Sequence, residues 1–304
     1  MRRLPLIAMT GVVAIGLTLS ACGSNTLQPG GSQSSSSPAG STATGGGVDE
    51  ALAAKVPAKI KSAGKIVVGT DASYAPNEFI GTDGTTVEGM DVDLFNAVAA
   101  KLGLKAEYHN AGFDTIILGV TGGKYDVGVS SFTINPDRKK QVNMVSYFNA
   151  GTQWVTKAGN PKKVDPNNAC GLTIGVQKGT VQETDDLPKK QKACKDAGKP
   201  EMTIVSQEKQ DQVTADLVSG KTDAMLADSP IGLYAVKQTN GQLEALGAIY
   251  DAAPYGFVVP KDETDFAQAI ADALKAIKKD GSYDAALSKW GNESGGITDF
   301  AVNP

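Results

Sequence analysis

Nine consecutive residues, Ser130-Ser131-Phe132-Thr133-Ile134-Asn135-Pro136-Asp137-Arg138, set hydroxyls, backbone amides and one guanidinium side by side. That set suits a carboxylate. The planar fork of an arginine grips both oxygens, while amides and hydroxyls such as those of Thr133 and Ser131 fill the remaining lone pairs. Asn135-Pro136 is a helix-start signature, a cap followed by proline at the first helical position. The apolar run Tyr125 to Val129 before it reads as a strand, so these groups gather where a strand stops and a helix starts. The pattern points to binding of a small molecule.

The elements that must position this stretch alternate. Lys65 to Gly69 reads as a buried strand, and Asp91 to Leu102 as a helix with Leu94, Val98 and Leu102 on one stripe, stopped by Gly103. Leu104 to Tyr108 is the next strand, and Asp114 caps a helix over Thr115 to Thr121. A second series begins with the strand 172–176 and a capping box at Thr180 and Glu183. It continues with a strand over Met202 to Val205, a helix over Gln212 to Val218 closed by Gly220, and a strand over Asp223 to Leu226. Strand-helix alternation implies parallel strands with crossover helices. Phe148 to Thr156 and Tyr255 to Pro260 are extended and lie between and after the two series, so two crossings and a hinge are expected. Phe266 to Ile277 is an amphipathic helix, Tyr283 to Trp290 a last one, and the polar stretch Gly295 to Pro304 carries no signal.

Composition bounds the rest. Met1-Arg2-Arg3 followed by an apolar stretch to Leu19 is an export signal, and the small residues before Cys22 resemble the lipobox of bacterial lipoproteins, which implies a lipid on Cys22 and an anchor at the outer face of the cell membrane. Residues 22–47 are Ser, Gly, Thr, Ala and Pro with almost no large apolar side chain, a flexible tether. The chain carries a net charge of −4, and −6 once Arg2 and Arg3 are removed with the leader, which argues against nucleic acid as a partner. Cys170 and Cys194 remain as an even pair in an exported protein, and a disulfide is the economical reading. With His109 as the one histidine, between a strand and a Gly-containing turn, a Ser-His triad around Ser130 or Ser131 is not expected, no second Cys/His cluster completes a metal-ligand set, and Lys178-Gly179-Thr180 lacks the residue order of a phosphate-binding loop. No metal and no cofactor are expected.

The order of motifs from Lys65 to Trp290 resembles the extracellular amino-acid-binding proteins of ABC transporters. The resemblance is carried by Gly69-Thr70-Asp71-Ala72-Ser73-Tyr74-Ala75-Pro76 with Glu78-Phe79, by Gly89-Met90-Asp91-Val92-Asp93-Leu94 and Gly123-Lys124-Tyr125-Asp126, and by the stretch ending in Arg138. In the second series it is carried by Val176-Gln177-Lys178-Gly179-Thr180 and Asp223-Ala224-Met225-Leu226-Ala227-Asp228.

The resemblance implies an α/β, two-lobed periplasmic-binding-protein fold of type 2, each lobe a mainly parallel sheet with flanking helices, joined by two hinge strands. Residues 1–21 would be the signal peptide, 48–64 an N-terminal segment, 65–150 with 255–304 lobe I, and 151–254 lobe II. It also implies a polar L-amino acid as ligand and permease subunits as partners of a monomeric receptor that is not an enzyme. Arg138 with Thr133 would hold the α-carboxylate, Ser131 and Asp228 the α-ammonium. Tyr74 and Phe113 would flank the side chain, Asp71 would meet its polar end, and Gln177 to Thr180 would add amides near the carboxylate. Asn77, where an aromatic is usual, would make the rim less apolar, and Glu78 would hold local backbone. The alternatives are a cyclohexadienyl-type dehydratase on the same fold and a sensory lipoprotein without a transporter.

Overall fold

A strand buried on both faces needs covering layers, and the chain supplies them by alternation. The computed structural model describes residues 47–304; the expected signal peptide, Cys22 and all of the tether before Gly47 lie outside them. Two short helices, α1 (Glu50–Ala53) and α2 (Ala58–Ala63), lead into β1 (Lys65–Thr70), a small meander β2 (Ser73–Tyr74), β3 (Glu78–Ile80) and β4 (Val87–Glu88), then α3 (Met90–Lys101), β5 (Lys105–Asn110), α4 (Phe113–Thr121), β6 (Val127–Gly128) and α5 (Pro136–Gln141). After the long β7 (Val142–Lys157) come β8 (Thr173–Gln177), α6 (Leu187–Asp196), β9 (Thr203–Gln207), α7 (Gln210–Ser219), β10 (Ala224–Asp228) and α8 (Ser229–Gln238). The equally long β11 (Leu243–Pro260) returns to α9 (Thr264–Lys279) and α10 (Ser282–Trp290).

The strand order is β5-β1-β6-β11-β7-β10-β8-β9. β1 pairs in parallel with β5 and β6, and β8 with β9 and β10, while β7 and β11 run antiparallel to each other through both halves. These are two α/β lobes joined by two strands, as the alternation predicts. The β7–β11 register shifts at Leu246/Tyr250, Tyr250/Ala253 and Tyr255/Gly256. Bulges there bend and twist the ladder where it passes between the lobes.

Each lobe has its own core. In the first, Phe257 is fully buried, stacked on Tyr147 with ring centroids 4.0 Å apart and edge-on to Phe95 at 5.1 Å. Phe266, Ile270, Leu274 and Ile277 of α9 close over it at helical spacing. The second lobe buries a smaller set around Trp154, Ile174, Val176, Leu187 and Leu226, with the Cys170–Cys194 disulfide at its margin, Cα atoms 5.5 Å apart.

Several local readings change. α4 starts at Phe113 behind the cap position Gly112, so Asp114 lies inside its first turn rather than capping it. The strand expected over Tyr125 to Val129 is reduced to two residues. At the second-lobe box Thr180 Oγ1 accepts from the Glu183 amide at 3.4 Å, but Glu183 returns to the Gly179 amide, and the helix opens with a π turn over Gln182–Asp186. The C-terminal stretch, silent in sequence, lies beside β7: the Ser146 amide donates to the Ala301 carbonyl, the Asn303 amide to the Met144 carbonyl, and Phe300 is buried. No described helix is long and apolar enough to cross a membrane.

Candidate functional site

The carboxyl ends of β1, β6, β8 and β10 converge on one crevice between the lobes, the usual place for ligands in open α/β sheets. β6 runs into the Ser130–Asn135 turn, and Asn135 caps α5 by accepting the Arg138 amide at 2.8 Å. Arg138 thus sits in the first helical turn, and its side chain folds back into the crevice. Nη1 donates to the Thr133 carbonyl at 2.8 Å and Nη2 to the Gly179 carbonyl of the other lobe at 3.0 Å. Its guanidinium lies 5.4 Å from the ring centres of both Phe113 and Phe132, which stack on each other. Burial lowers its pKa to about 10, opposed by the charge of Asp228.

From the second lobe Asp228 ends β10. Although it occupies the cap position of α8, its side chain makes no capping bond. The carboxylate instead accepts from Tyr74 Oη at 2.9 Å, Tyr255 Oη at 2.7 Å and Gln182 Nε2 at 2.7 Å. Burial raises its pKa, and the two phenols, the amide and Arg138 oppose the rise. A cation and an anion from facing lobes are therefore both buried at one crevice, and among the described residues no ion pair involves either.

Asp71 marks the other end. Its carboxylate accepts from the Ser73 amide and hydroxyl, from the Phe113 amide at 3.1 Å and from Gln177 Nε2 across the cleft at 2.9 Å. It takes the anionic place at the α4 N-terminus, where a negative charge is favoured. Burial raises its pKa, against the pull of those donors. Gln177 Oε1 is buried with no hydrogen-bond partner. Beyond Asp71 a cavity of about 320 Å³ runs between the lobes, lined by Asn110, Gly112, Glu208 and Lys209 among others.

The crevice so assembled contains Asp71, Tyr74, Phe113, Thr133, Arg138, Gln177, Thr180 and Asp228. Five residues depart from expectation. Thr133 turns its carbonyl toward Arg138, and Thr180 Oγ1 donates to the Gln177 carbonyl at 2.7 Å, fixing the loop. Ser131 Oγ is engaged from behind by Asn77, Asp91 and Glu78. Asn77 is wholly buried rather than on a rim, and Glu78 bonds side-chain hydroxyls rather than backbone. Sequence reasoning missed Gln182 and Tyr255. Tyr255 was visible as a phenol in a crossing strand, whereas Gln182 left no signal short of the fold that brings it to Asp228.

The profile of the bacterial extracellular solute-binding proteins, family 3, matches residues 66–293. The arginine-binding protein ArgT of Corynebacterium glutamicum is 33% identical over 296 residues, covering 97% of this chain and 94% of that protein. Among solved structures, an ancestral arginine-binding protein bound to arginine superposes with a TM-score of 0.68 at 35% identity, over 75% of this chain and 98% of its own. The ancestral amino acid-binding protein AncCDT-1, a precursor of cyclohexadienyl dehydratase, gives 0.67 at 33%, over 76% and 97%. With two lobes, two crossing strands and a charged crevice between them, this chain belongs to the bacterial extracellular solute-binding proteins of family 3.

Proposed function

We propose that the protein is the receptor of an ABC transporter for an L-amino acid with a polar or cationic side chain, arginine first among them. The observation that carries the reading is the pair Arg138 and Asp228, buried on facing lobes and joined by no ion pair. A zwitterion completes both. Its α-carboxylate would replace the carbonyls of Thr133 and Gly179 as a charged, two-pronged partner for Arg138. Its α-ammonium would take the place of phenol protons on Asp228. A ligand lacking either group would leave a desolvated charge unpaired, at a cost of several kcal/mol, which selects amino acids over amines or simple acids.

Arginine is favoured by the far end. Asp71 and the unpartnered Gln177 Oε1 are both acceptors, and a guanidinium brings five donors. One of these donors would take the place that Gln177 Nε2 holds on Asp71. Tyr74 and Phe113 would line the aliphatic stem, and the relatives named for arginine support the same choice. A lipid on Cys22 would hold the receptor at the outer face of the membrane, from which the closed form is presented to the permease. Loss of fatty-acid labelling in Cys22→Ser tests that part.

Calorimetry with the twenty amino acids should give saturable binding, tightest for arginine. Arg138→Ala should weaken it by on the order of 100-fold or more, since one partner of a buried charge pair is removed. Absence of saturable heat with every amino acid, or an Arg138→Ala protein that binds as tightly, overturns the reading. A dehydratase would instead turn over a prephenate-type substrate, which a product assay detects.

A further inference from the structure

Behind the Ser130–Ser131 turn lie two carboxyls, Glu78 on β3 and Asp91 on α3, both wholly buried. Ser130 Oγ donates to Glu78 Oε1 at 2.9 Å and accepts the Asp71 amide at 3.0 Å. The Ser131 amide donates to Asp91 Oδ2 at 2.9 Å, and Ser131 Oγ lies 3.1 Å from the same oxygen and 3.4 Å from Glu78 Oε2. Tyr147 Oη also donates to Asp91 Oδ2, while Asn77 Nδ2 donates to Ser131 Oγ at 2.9 Å. Ser131 is held at φ +50°, a left-handed conformation that a serine adopts only when its surroundings impose it.

No cation pairs with either acid. Asp71 follows β1, the phenols of Tyr74 on β2, Tyr108 on β5 and Tyr147 on β7 are neutral, Asp93 on α3 is paired with Lys289 of α10 at 2.7 Å, and among the described residues no ion pair involves Glu78 or Asp91. Two adjacent carboxylates in a dry site without a cation cannot both be ionised. Asp91 Oδ1, moreover, is buried with no donor. A proton on Glu78 would give Asp91 the donor it lacks.

We infer that Glu78 and Asp91 share one proton, and that this protonated pair is a positioning device for the Ser130–Arg138 stretch, holding Ser131 in its left-handed turn so that the ligand-gripping groups stand in register. The part that concerns ligand rests on the receptor function proposed above; the shared proton does not. Burial, then the neighbouring Asp91, pushes the Glu78 carboxyl well above its usual range, and burial raises Asp91 to about 6, so the proton is retained in the folded protein and released on unfolding at neutral pH. The folded state then binds more protons than the unfolded one, and stability falls as pH rises from about 4.5 toward the folded value. Both acids would be ionised only above that value, where repulsion loosens the turn.

Glu78→Gln keeps the shape and supplies a permanent donor; Glu78→Leu keeps the bulk and supplies none. Infrared difference spectra of the full-length protein at pH 7 should show a protonated-carboxyl band that Glu78→Gln lacks. Between pH 5 and 7 the unfolding constant of the wild type should rise more steeply than that of Glu78→Gln, by up to tenfold per pH unit, one proton's worth. For arginine as the probe, Glu78→Gln should bind at least tenfold more tightly than Glu78→Leu and lose any alkaline decline seen in the wild type. No such band together with equal pH slopes overturns the shared proton, whether or not ligand binds. A band and slope as expected, with Glu78→Leu binding as tightly as Glu78→Gln, overturns the positioning role alone. If no form binds any amino acid, the positioning role falls with the receptor reading, while the band and slope still decide the proton.

Discussion

The first lobe reaches the crevice through a buried lattice of acids, hydroxyls and amides, whereas the second reaches it through strand ends and one helix start. Asp71, Ser130, Ser131, Glu78 and Asp91 are each fixed by several partners within the first lobe. Gln177, Thr180 and Asp228 are set mainly by where β8 and β10 stop, and much of their bonding crosses to the first lobe through Tyr74, Asp71 and Arg138. The difference assigns roles. In the receptor reading proposed above, the first lobe would be a preformed platform and the second a cover whose polar groups gain partners on closure, which would couple binding free energy to the hinge.

The cores differ in the same direction. Phe257→Ala removes an aromatic packed between Tyr147 and Phe95 on the platform side. It should cost about 4 kcal/mol, read from urea unfolding. Closing the 24-residue Cys170–Cys194 span constrains the smaller core, and Cys170→Ser with Cys194→Ser should cost about 3 kcal/mol. In that variant calorimetry should resolve a second-lobe transition below that of the first lobe. If the double serine variant lowers a single transition shared by both lobes, the two cores are not independent units and the contrast drawn here fails.

The sequence made the platform more legible than the cover. Asn135-Pro136 with Arg138, the α3 stripe and the α9 stripe are local patterns, and each became the element expected because capping and helical periodicity act within one turn or two. Asp228 and Gln177 could be placed only through the resemblance, because their partners on the first lobe, Tyr74 and Asp71, lie more than a hundred residues away in sequence. The long extension of β11 was hidden for a different reason: between Leu243 and Tyr255 it alternates poorly and is largely exposed, so it carries no strand period. The C-terminal stretch was silent because its order comes from pairing with β7 rather than from any preference of its own.

Gly179 tests the cover directly. Its φ of +77° favours glycine, and a Cβ there would stand 2.9 Å from Asp114 Cβ on the first lobe. Gly179→Ala should therefore be penalised twice. The backbone strain of about 1–2 kcal/mol is present whether or not the lobes are closed and lowers stability. The clash exists only when they meet, so affinity for arginine should fall by roughly a further tenfold, about 1.4 kcal/mol. Lowered stability with unchanged affinity would mean that the loop does not approach the platform on closure.

The smallest effect is expected at the mouth of the crevice. Lys178 spans from Glu208, 2.8 Å away on its own lobe, to Asp114 at 3.0 Å on the other, but it is 46% exposed. Exposed pairs contribute about 0–1 kcal/mol, because water already solvates both charges and the long side chain loses freedom when held. Lys178→Ala should thus weaken arginine binding by less than about fivefold. The difference should shrink as ionic strength rises toward 1 M, where the screening length is about 3 Å. A larger or salt-independent loss would show that this lysine acts through the packing of the Gln177–Thr180 loop against the platform, and the line between preformed platform and adjustable cover would then run through the loop itself.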